Sequence, residues 1–339
     1  MCDRIVLTTC RAWPELSPSD RCLADALDQR GFQVESAPWN GPFEPFDGAR
    51  AVVIRSTWDY HQTLDDYRAW LDRLEPTQVF NAPDLVRWNL DKAYLTELAA
   101  RGAPLPACTI VEADAAQVAG ALARLSLREA VIKPTAGASG VGVERVACGR
   151  EAEALARFHA VTRSPRLLVQ EFIPEVAAGE IAGVFFEGTF SHGLRRVPAT
   201  GEFRVNSQYG GRMEAAPLDD TTIEAMSRVL SSLPSEPLYA RIDGVRRDGR
   251  FVLMEVEINE PGLGLHLAPG AGDRFAAALV AASARLDSRW PGDRSSSQRS
   301  ISRRERDGND VAGTGRGSRA RDEPGARPDR REVGDLHVG

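Results

Sequence analysis

The first part of the chain alternates short apolar runs with segments of helical periodicity. The apolar, β-branched runs predict strands at Arg4 to Thr9, Gln33 to Ala37 and Ala51 to Ser56. The periodic segments between and after them predict helices at Ser19 to Arg30 and Leu64 to Leu74. Alternating strands and helices are typical of a parallel α/β sheet, here one of about 85 residues.

The next segment predicts one helix from Trp88 to Arg101, with Asn89 as its cap and Gly102 and Pro104 ending it. Lys92 would lie near its start. Beyond it the sequence predicts strands at Cys108 to Val111, Ala130 to Pro134 and Leu167 to Phe172, and helices at Ala115 to Leu125 and Glu151 to Thr162. The pattern therefore continues as mixed α and β structure.

From there to about Leu286, antiparallel strands are predicted around one helix, Asp219 to Leu233, with a closing helix from Asp273. The fold class is thus α/β in the first part and α+β in the rest. The predicted domains are 1–87, 88–168 and 169–286. Residues 287–339 are rich in Arg, Gly, Ser, Asp and Pro and have few aliphatic residues, which predicts a disordered, solvated tail.

The charge and the cysteine content exclude several classes of partner and site. The net charge of -6 argues against nucleic acid or an anionic membrane as the main partner, because both require clustered basic residues. The five cysteines are scattered without a CxxC pair, so neither a disulfide framework nor a zinc site is indicated. With no apolar run of membrane-spanning or signal-peptide length, we expect a cytoplasmic protein.

The lysine content is unusual. Of the 42 Lys and Arg residues only Lys92 and Lys133 are lysines. The simple explanation is that these two lysines remain by chance in an Arg-rich composition. A compact ammonium can, however, lie among phosphate oxygens where a planar guanidinium does not fit, so these lysines are candidate phosphate ligands.

A glycine loop follows Lys133. The segment VIKPTAGASGVGVERV places the lysine at the end of a strand and then Gly137, Gly140 and Gly142 before a second strand. Glycines let backbone N–H groups approach phosphate oxygens closely. The segment is neither a Walker A motif nor a Rossmann fingerprint, and an ordinary flexible hairpin would look similar.

Carboxylates follow both arms of a hairpin predicted from Leu238 to Gly262, with its turn at Asp248 and Gly249. Glu257 and Asn259 are two residues apart on a strand and so share a face. Together with Asp243 they would suit Mg²⁺. A simple register places Asp243 opposite Met254, and a charged solvent face remains the alternative.

The segment RSTWDYHQ directly follows the third strand, where open α/β sheets bind ligands. We therefore consider Arg55, Thr57, Trp58 and Asp59 as substrate contacts, with Arg55 pairing the substrate carboxylate. The alternative is a capped loop with Trp58 in the core and Arg55 in a structural ion pair with an acidic residue such as Asp59 or Asp65.

The order of Lys92, KPTAGASGVGV, VQEFI, GEFRVNSQYGG and EVEINEPG resembles the ATP-grasp ligases, which include glutathione synthetase, D-alanine:D-alanine ligase and the ribosomal-protein glutamate ligases. The resemblance covers most of Asp91 to about Ala268. RSTWDY, RWNLDK and LYARID further resemble bacterial relatives of the cycloserine-forming cyclo-ligase. The implied fold is an N-terminal parallel α/β domain and two α+β subdomains that enclose ATP.

The resemblance implies roles position by position. Lys92 and Lys133 match the phosphate-binding lysines, and Gly137, Ser139, Gly140 and Gly142 match the lid over the phosphates. The hinge whose backbone contacts adenine is matched by Gln170, Glu171, Phe172 and Ile173. The carboxylate that accepts the ribose hydroxyls is matched by Glu180. Arg204 and Asn206 match the pair beside the transferred phosphoryl group, and Asp243, Glu257 and Asn259 match the metal ligands. The chain lacks one residue before Pro261, which leaves open whether Asn259 or Glu260 is the third ligand.

The implied activity is ADP-forming ligation of a small-molecule carboxylate to an amine or similar nucleophile through an acylphosphate, with ATP and Mg²⁺, or alternatively Mn²⁺, as cofactors. An intramolecular cyclo-ligase or a kinase is a rival within enzymes. A nucleotide-binding sensor or scaffold is the rival outside them. No nucleic-acid or membrane partner is expected, and a homodimer is compatible with the sequence.

Overall fold

The computed structural model describes residues 3–74 and 79–289, with side chains to residue 286 in its last helix. In these ranges the strands form three sheets. The strands are β1 (Arg4–Thr9), β2 (Gln33–Pro38), β3 (Ala51–Val53), β4 (Val79–Phe80), β5 (Cys108–Glu112), β6 (Glu129–Pro134), β7 (Glu144–Ala147), β8 (Arg166–Glu171), β9 (Glu180–Phe186), β10 (Thr189–Val197), β11 (Arg212–Ala215), β12 (Tyr239–Arg247) and β13 (Arg250–Glu257). The α-helices are α1 (Pro18–Asp28), α2 (Leu64–Arg73), α3 (Pro83–Asn89), α4 (Tyr94–Ala100), α5 (Ala115–Arg124), α6 (Glu151–Val161), α7 (Asp220–Ser231) and α8 (Ala271–Arg289).

The first sheet is parallel, with strand order β2-β1-β3-β4, and this confirms the prediction for the N-terminal part. Five of the six residues of β1 are buried, as expected for a central parallel strand. The third strand is shorter than predicted and ends at Val53. Strand β2 is added on one side of β1, and β3 and β4 are added on the other. The strand order therefore reverses between β1 and β3, and open α/β sheets bind ligands at this position.

The middle sheet is antiparallel, with strand order β5-β8-β6-β7. Helices α5 and α6 cover it through Val118, Leu122 and Phe158, which belong to one buried cluster with Ile132 and Val169. The predicted domain boundary at 168/169 falls inside β8. The middle sheet therefore ends at Glu171.

The third sheet is also antiparallel, with strand order β11-β10-β9-β12-β13. Helix α7 packs on it through Met226, and α8 packs through Phe275, which stacks on Phe186 with ring centroids 4.7 Å apart. The predicted antiparallel strands and both predicted helices are confirmed. A Cβ on Gly272 of α8 would lie 2.5 Å from the Cys22 carbonyl of α1, so the close approach of these helices requires glycine.

The hairpin of β12 and β13 turns at Asp248 and Gly249 as predicted, but its register is not the simple one. A β-bulge between Asp243 and Gly244 leaves Met254 unpaired and places Asp243 opposite Glu255. A bulge inserts one extra residue into one strand and shifts every pair beyond it. The pairing of Asp243 with Met254 was therefore wrong. Arg241 lies opposite Glu257 and Asp243 lies opposite Glu255.

The prediction of a single helix from Trp88 to Arg101 was wrong. Helix α3 ends at Asn89, and α4 begins at Tyr94. Asn89 does not cap a helix, because its side chain donates to the Val256 carbonyl at 2.9 Å. The Lys92 amide instead donates to the carbonyl of Thr135 at 2.7 Å, beyond the end of β6. The break thus fixes Lys92 beside the middle sheet.

Helix α8 continues to Arg289, so the first three residues of the predicted tail are helical. The prediction of disorder for the remaining tail concerns residues 290–339, which lie outside the described residues. Among the described helices, none combines the length and the hydropathy needed to cross a membrane.

Candidate active site

The middle and third sheets, together with loops of the N-terminal domain, line one cavity of about 420 Å³. Its walls include Lys133 on β6, Gln170 on β8, Glu180 on β9, Arg241 on β12 and Glu257 on β13. Segments 137–141 and 203–208 lie along one side, and Trp13, Trp58 and Tyr60 of the N-terminal domain lie at one end. Residues far apart in sequence therefore meet around a single volume.

Both lysines line this cavity. Lys92 Nζ lies 2.6 Å from Glu255 Oε1, and Lys133 Nζ donates to Gln170 Oε1 at 2.9 Å. Burial lowers the pKa of Lys133, and the Glu255 carboxylate opposes this effect. Burial raises the pKa of Glu255, but the charges of Lys92 and Lys133 outweigh burial and hold it at about 2. The two ammonium groups and one carboxylate form a charged wall.

The glycine loop of residues 137–142 closes over the lysines. Ser139, Gly140 and Gly142 have positive φ values of 57°, 71° and 72°. Gln208 donates to the Ser139 carbonyl, and the Tyr209 hydroxyl donates to the Gly140 carbonyl at 3.2 Å. The Tyr60 hydroxyl donates to the Gly137 carbonyl at 3.4 Å, so the loop contacts both neighbouring segments.

The hinge residues predicted to meet adenine follow one another along the cavity wall. Gln170 is fully buried, and its Nε2 has no partner among the described residues. The Glu171 carboxylate accepts from Arg247 at 2.8 Å. Phe172 lies edge-on to Phe203, and Ile173 is buried beside Val205. An apolar slot with an unsatisfied amide at one end results, which suits a flat heterocycle with polar edges.

Glu180 lies on β9 at the same cavity, where Arg196 Nη1 approaches its Oε2 at 3.4 Å. Burial raises the pKa of Glu180, although the charge of Arg196 acts in the opposite sense. A carboxylate with spare acceptor capacity beside the apolar slot can accept hydroxyl hydrogens.

Asp243 does not line the cavity, and the structure gives it two arginine partners. Arg241 donates to it through Nε and Nη2, both at 2.8 Å. Arg196 Nη1 donates to Asp243 Oδ2 at 2.7 Å. Asp243 is 1% exposed, so its carboxylate is fully committed to holding these two guanidinium groups. This arrangement does not support Asp243 as a direct metal ligand.

Arg241 and Arg196 both line the cavity and were missed by the sequence analysis. Arg241 Nη2 also donates to Glu257 Oε1 at 2.6 Å. The signal was present in ARID, because residues two apart on a strand share a face and Arg241 must point the same way as Asp243.

Three carboxylates face the cavity from β13 and the turn after it: Glu255, Glu257 and Glu260. Burial, opposed by Arg241 and reinforced by Asp243 and Glu255, raises the pKa of Glu257 to about 7. Burial and the charge of Glu257 raise the pKa of Glu260 to about 8. Crowded carboxylates of this kind call for additional positive charge.

Asn259 lies elsewhere. It is 2% exposed, its Oδ1 accepts from the Tyr67 hydroxyl at 2.7 Å, and it faces the N-terminal domain. The pair of Glu257 with Asn259 as metal ligands is therefore not supported. Glu255 is the residue two positions from Glu257 that does reach the cavity.

A divalent metal would need ligands in addition to these side chains. No three acidic, His or Cys side chains in 3–74 and 79–289 lie close enough together to hold a metal ion by themselves. Mg²⁺ is usually held by one or two carboxylates together with substrate phosphates. Glu255 and Glu257, on one face of β13, fit such an open site.

Arg204 and Asn206, which the resemblance matches to the pair beside the transferred phosphoryl group, line the cavity. Arg204 forms a bidentate pair with Glu202, at 2.7 Å from Nη2 to Oε2, and its guanidinium lies 3.6 Å from the centre of the Tyr209 ring. Because Tyr209 also contacts the glycine loop, Arg204 is held next to the lid.

Of the four predicted substrate contacts, only Trp58 reaches the cavity. Arg55 is 2% exposed; its Nε lies 2.8 Å from Asp20 Oδ1, and its Nη2 donates to the Pro261 carbonyl at 2.7 Å. Thr57 and Asp59 are also buried, and Asp59 accepts from the Trp39 indole at 2.6 Å. Arg55 as the partner of the substrate carboxylate is therefore wrong. It is a structural ion-pair residue, and its partner is Asp20.

Sequence profiles agree with this geometry. The ATP-grasp domain of prokaryotic glutathione synthetase matches residues 98–262, and the N-terminal domain of D-cycloserine synthetase DcsG matches residues 5–81. The chain belongs to the ATP-grasp ligases. It is therefore an ATP-dependent, ADP-forming enzyme of the C–N ligase type, and its family uses a divalent metal with ATP.

Individual relatives of this ATP-grasp ligase agree. The cycloserine biosynthesis protein DcsG of Streptomyces lavendulae is 29% identical over 274 residues, which are 76% of this chain and 91% of that protein. The crystal structure of D-cycloserine synthetase DcsG has a TM-score of 0.73 at 28% identity and covers 84% of this chain and 99% of that chain. A D-alanine–D-alanine ligase from Bacillus anthracis has a TM-score of 0.59 at 16% identity over 84% and 99%, which shows the shared fold. The glutathione synthetase of Synechococcus elongatus is 29% identical over 56% of this chain and 57% of its own.

Gly140→Ala in this ATP-grasp ligase is expected to lower turnover about tenfold while the fold is kept. At φ +71° a side chain costs about 1–2 kcal/mol, and its Cβ would lie 2.7 Å from Asn206 Oδ1. ATP-dependent ADP release, with circular dichroism as the check on folding, measures the effect. Gly149→Ala, also at positive φ but with open space around its Cβ, is the matched control. Equal loss in both variants would assign the defect to backbone strain alone.

Proposed function

We propose that the enzyme phosphorylates a small amino-acid-like carboxylate with ATP and joins the acylphosphate to an amine. The observation that carries this proposal is the meeting of the chain's two lysines with Arg241 and Arg204 around one cavity. These four side chains supply positive charge to the cavity. That arrangement stabilises the negative charge that develops on a transferred phosphoryl group.

In this proposal the adenine occupies the slot formed by the hinge residues 170–173, and Glu180 accepts the ribose hydroxyls. The apolar contacts of Phe172 and Ile173 support this placement. The phosphates then lie beside Lys92 and Lys133 under the glycine loop. The loop's backbone groups exclude water from the acylphosphate, which would otherwise hydrolyse.

Glu255 and Glu257 are the residues that would hold Mg²⁺ or Mn²⁺, whose chemistry there is to neutralise charge on phosphate oxygens. Asp243 acts indirectly, since it orients Arg241 and Arg196. The substrate carboxylate is already a nucleophile at neutral pH and needs no base from the chain for the first step. Arg241 is placed to hold the acyl or phosphoryl oxygens.

A related alternative is intramolecular ring closure, since DcsG is named for cycloserine synthesis. In that case the carboxylate and the amine belong to one molecule, and the same acylphosphate chemistry applies. A cytoplasmic location and a homodimer stay predictions from the sequence.

ADP release with a panel of amino acids and amines, with and without hydroxylamine, tests the proposal. A carboxylate-dependent rate and a hydroxamate product are expected, because hydroxylamine captures an acylphosphate. A phosphorylated product that is stable to hydroxylamine would indicate a kinase. ATP binding without ADP release for any substrate would indicate a sensor.

Glu257→Gln is expected to raise the Mg²⁺ concentration for half-maximal activity by about tenfold or more, because it removes a charged ligand interaction of roughly 1.5–3 kcal/mol. A Mg²⁺ titration at saturating ATP measures the shift. Glu129→Gln removes an exposed carboxylate paired with Arg145 and serves as the control. An unchanged Mg²⁺ requirement in Glu257→Gln would remove Glu257 from the metal site.

A further inference from the structure

The N-terminal end of the cavity is aromatic, unlike its charged phosphate wall. Trp13, Trp58 and Tyr60 line this end. The two indoles meet edge to face with ring centroids 5.9 Å apart. Trp13 remains 40% exposed at the rim, which makes it one of the few large apolar side chains on the described surface. None of these rings has a role in binding ATP as proposed above.

The sheet topology explains why the two tryptophans meet. Trp13 follows the carboxyl end of β1 and is held by a two-way bridge in which the Trp13 amide donates to the Cys10 carbonyl at 3.0 Å. Trp58 lies on the loop that follows β3. Strands β1 and β3 are neighbours at the point where the strand order reverses. Ligands bind at this position in open α/β sheets.

Glu260 adds a carboxyl group to this end. The Trp58 indole donates to the Glu260 carbonyl at 3.1 Å, so the residue is fixed next to the rings. Every other carboxylate discussed at the cavity has a cationic side chain within 4 Å, whereas Glu260 forms no ion pair with any described residue. Burial and the charge of Glu257 raise the pKa of this carboxyl group to about 8, and a cation bound beside it would favour its ionised form.

The partner could be a metal ion or an organic cation. Mg²⁺ prefers oxygen ligands and keeps its water shell, and indole rings offer it no ligand. A carboxylate beside the faces and edges of aromatic rings is the arrangement that binds ammonium groups, through charge pairing and cation–π attraction. The aromatic surroundings therefore favour the organic cation.

We propose that Trp13, Trp58 and Glu260 form a subsite for a small organic cation, and that this cation is the protonated amino group of the second substrate. The identification with the second substrate rests on the proposed ligase function. The cation subsite itself does not. The ammonium group would enter across the exposed face of Trp13 and lie near Glu260.

The direct test is binding of choline to the full-length protein, measured by ligand-observed NMR without ATP. Its uncharged isostere 3,3-dimethylbutan-1-ol is the matched ligand. Choline is expected to bind more tightly than the isostere, and Trp13→Ala is expected to weaken choline binding about three- to thirtyfold. Trp13→Phe keeps a ring and should retain most of the affinity. Val161→Ala removes another exposed apolar side chain, 57% exposed on α6, and should have no effect.

Equal binding of choline and the isostere, or unchanged choline binding in Trp13→Ala, would overturn the proposal. The Glu260→Gln variant distinguishes an organic cation from Mg²⁺ as the partner of Glu260. It should weaken choline binding and leave the Mg²⁺ requirement for ATP hydrolysis or ligation unchanged. A raised Mg²⁺ requirement with unchanged choline binding would assign Glu260 to the metal instead. Because choline binding needs no turnover, a wrong ligase assignment would leave this result intact.

Discussion

Lys133→Ala is expected to lower kcat/KM for ATP by about 10- to 150-fold. The substitution removes a charge-assisted phosphate contact of roughly 1.5–3 kcal/mol. Lys133 Nζ lines the cavity, and its hydrogen bond among the described residues is to the neutral Gln170 side chain. Steady-state ADP release at varied ATP concentration measures the change. The far-UV circular dichroism spectrum should stay that of the wild type.

Lys133→Arg is the informative companion variant. A planar guanidinium cannot occupy the position of a compact ammonium, so activity should remain impaired despite the retained charge. Arg228→Lys, at an exposed ion pair with Glu224 on α7, is the control for exchanging one cationic side chain for the other. Near-normal activity in both Lys133 variants would make the two lysines accidental survivors of an Arg-rich composition.

Arg55→Ala is expected to lower the free energy of unfolding by about 3–5 kcal/mol. Asp20, 1% exposed, would be left as a buried carboxylate without its cation. The hydrogen bond from Arg55 to the Pro261 carbonyl, which joins the N-terminal domain to the end of the β12/β13 hairpin, would also be lost. Chemical denaturation followed by tryptophan fluorescence measures the change.

Two comparisons make the Arg55 result specific. Arg145→Ala breaks an exposed ion pair with Glu129 and should cost no more than about 1 kcal/mol. The double variant Arg55→Met, Asp20→Leu removes both buried charges and should recover part of the lost stability. A destabilisation equal to that of Arg145→Ala would show that the buried pair contributes no more than a surface pair.

The regular elements could be predicted because their patterns are local. Apolar and polar residues do not alternate in β1, as expected for a strand that is buried on both faces. This pattern predicts the parallel sheet. The helix break at Lys92 could not be predicted. It depends on Thr135 and Val256, which lie far away in the sequence and accept hydrogen bonds from this segment. The periodic apolar residues continue across the break.

Within the site, the lysines and the glycine loop were predictable because composition and order mark them. The acidic residues were predicted less well. A one-residue bulge in β13 determines which acidic residues share a face, and no local sequence pattern indicates this bulge. Arg55 was misplaced for a related reason: the carboxyl end of a strand is where ligands bind, but here the buried Asp20 on α1 already meets that guanidinium.

The most direct test of the acylphosphate route is the fate of the substrate's carboxylate oxygen. The accepted substrate is labelled with ¹⁸O in its carboxylate and incubated with ATP and metal, and the released phosphate is analysed by mass spectrometry. Attack of the carboxylate on the γ-phosphate and displacement by the amine predict one ¹⁸O atom in each phosphate formed. Phosphate without the label, at a normal rate of product formation, would contradict the account.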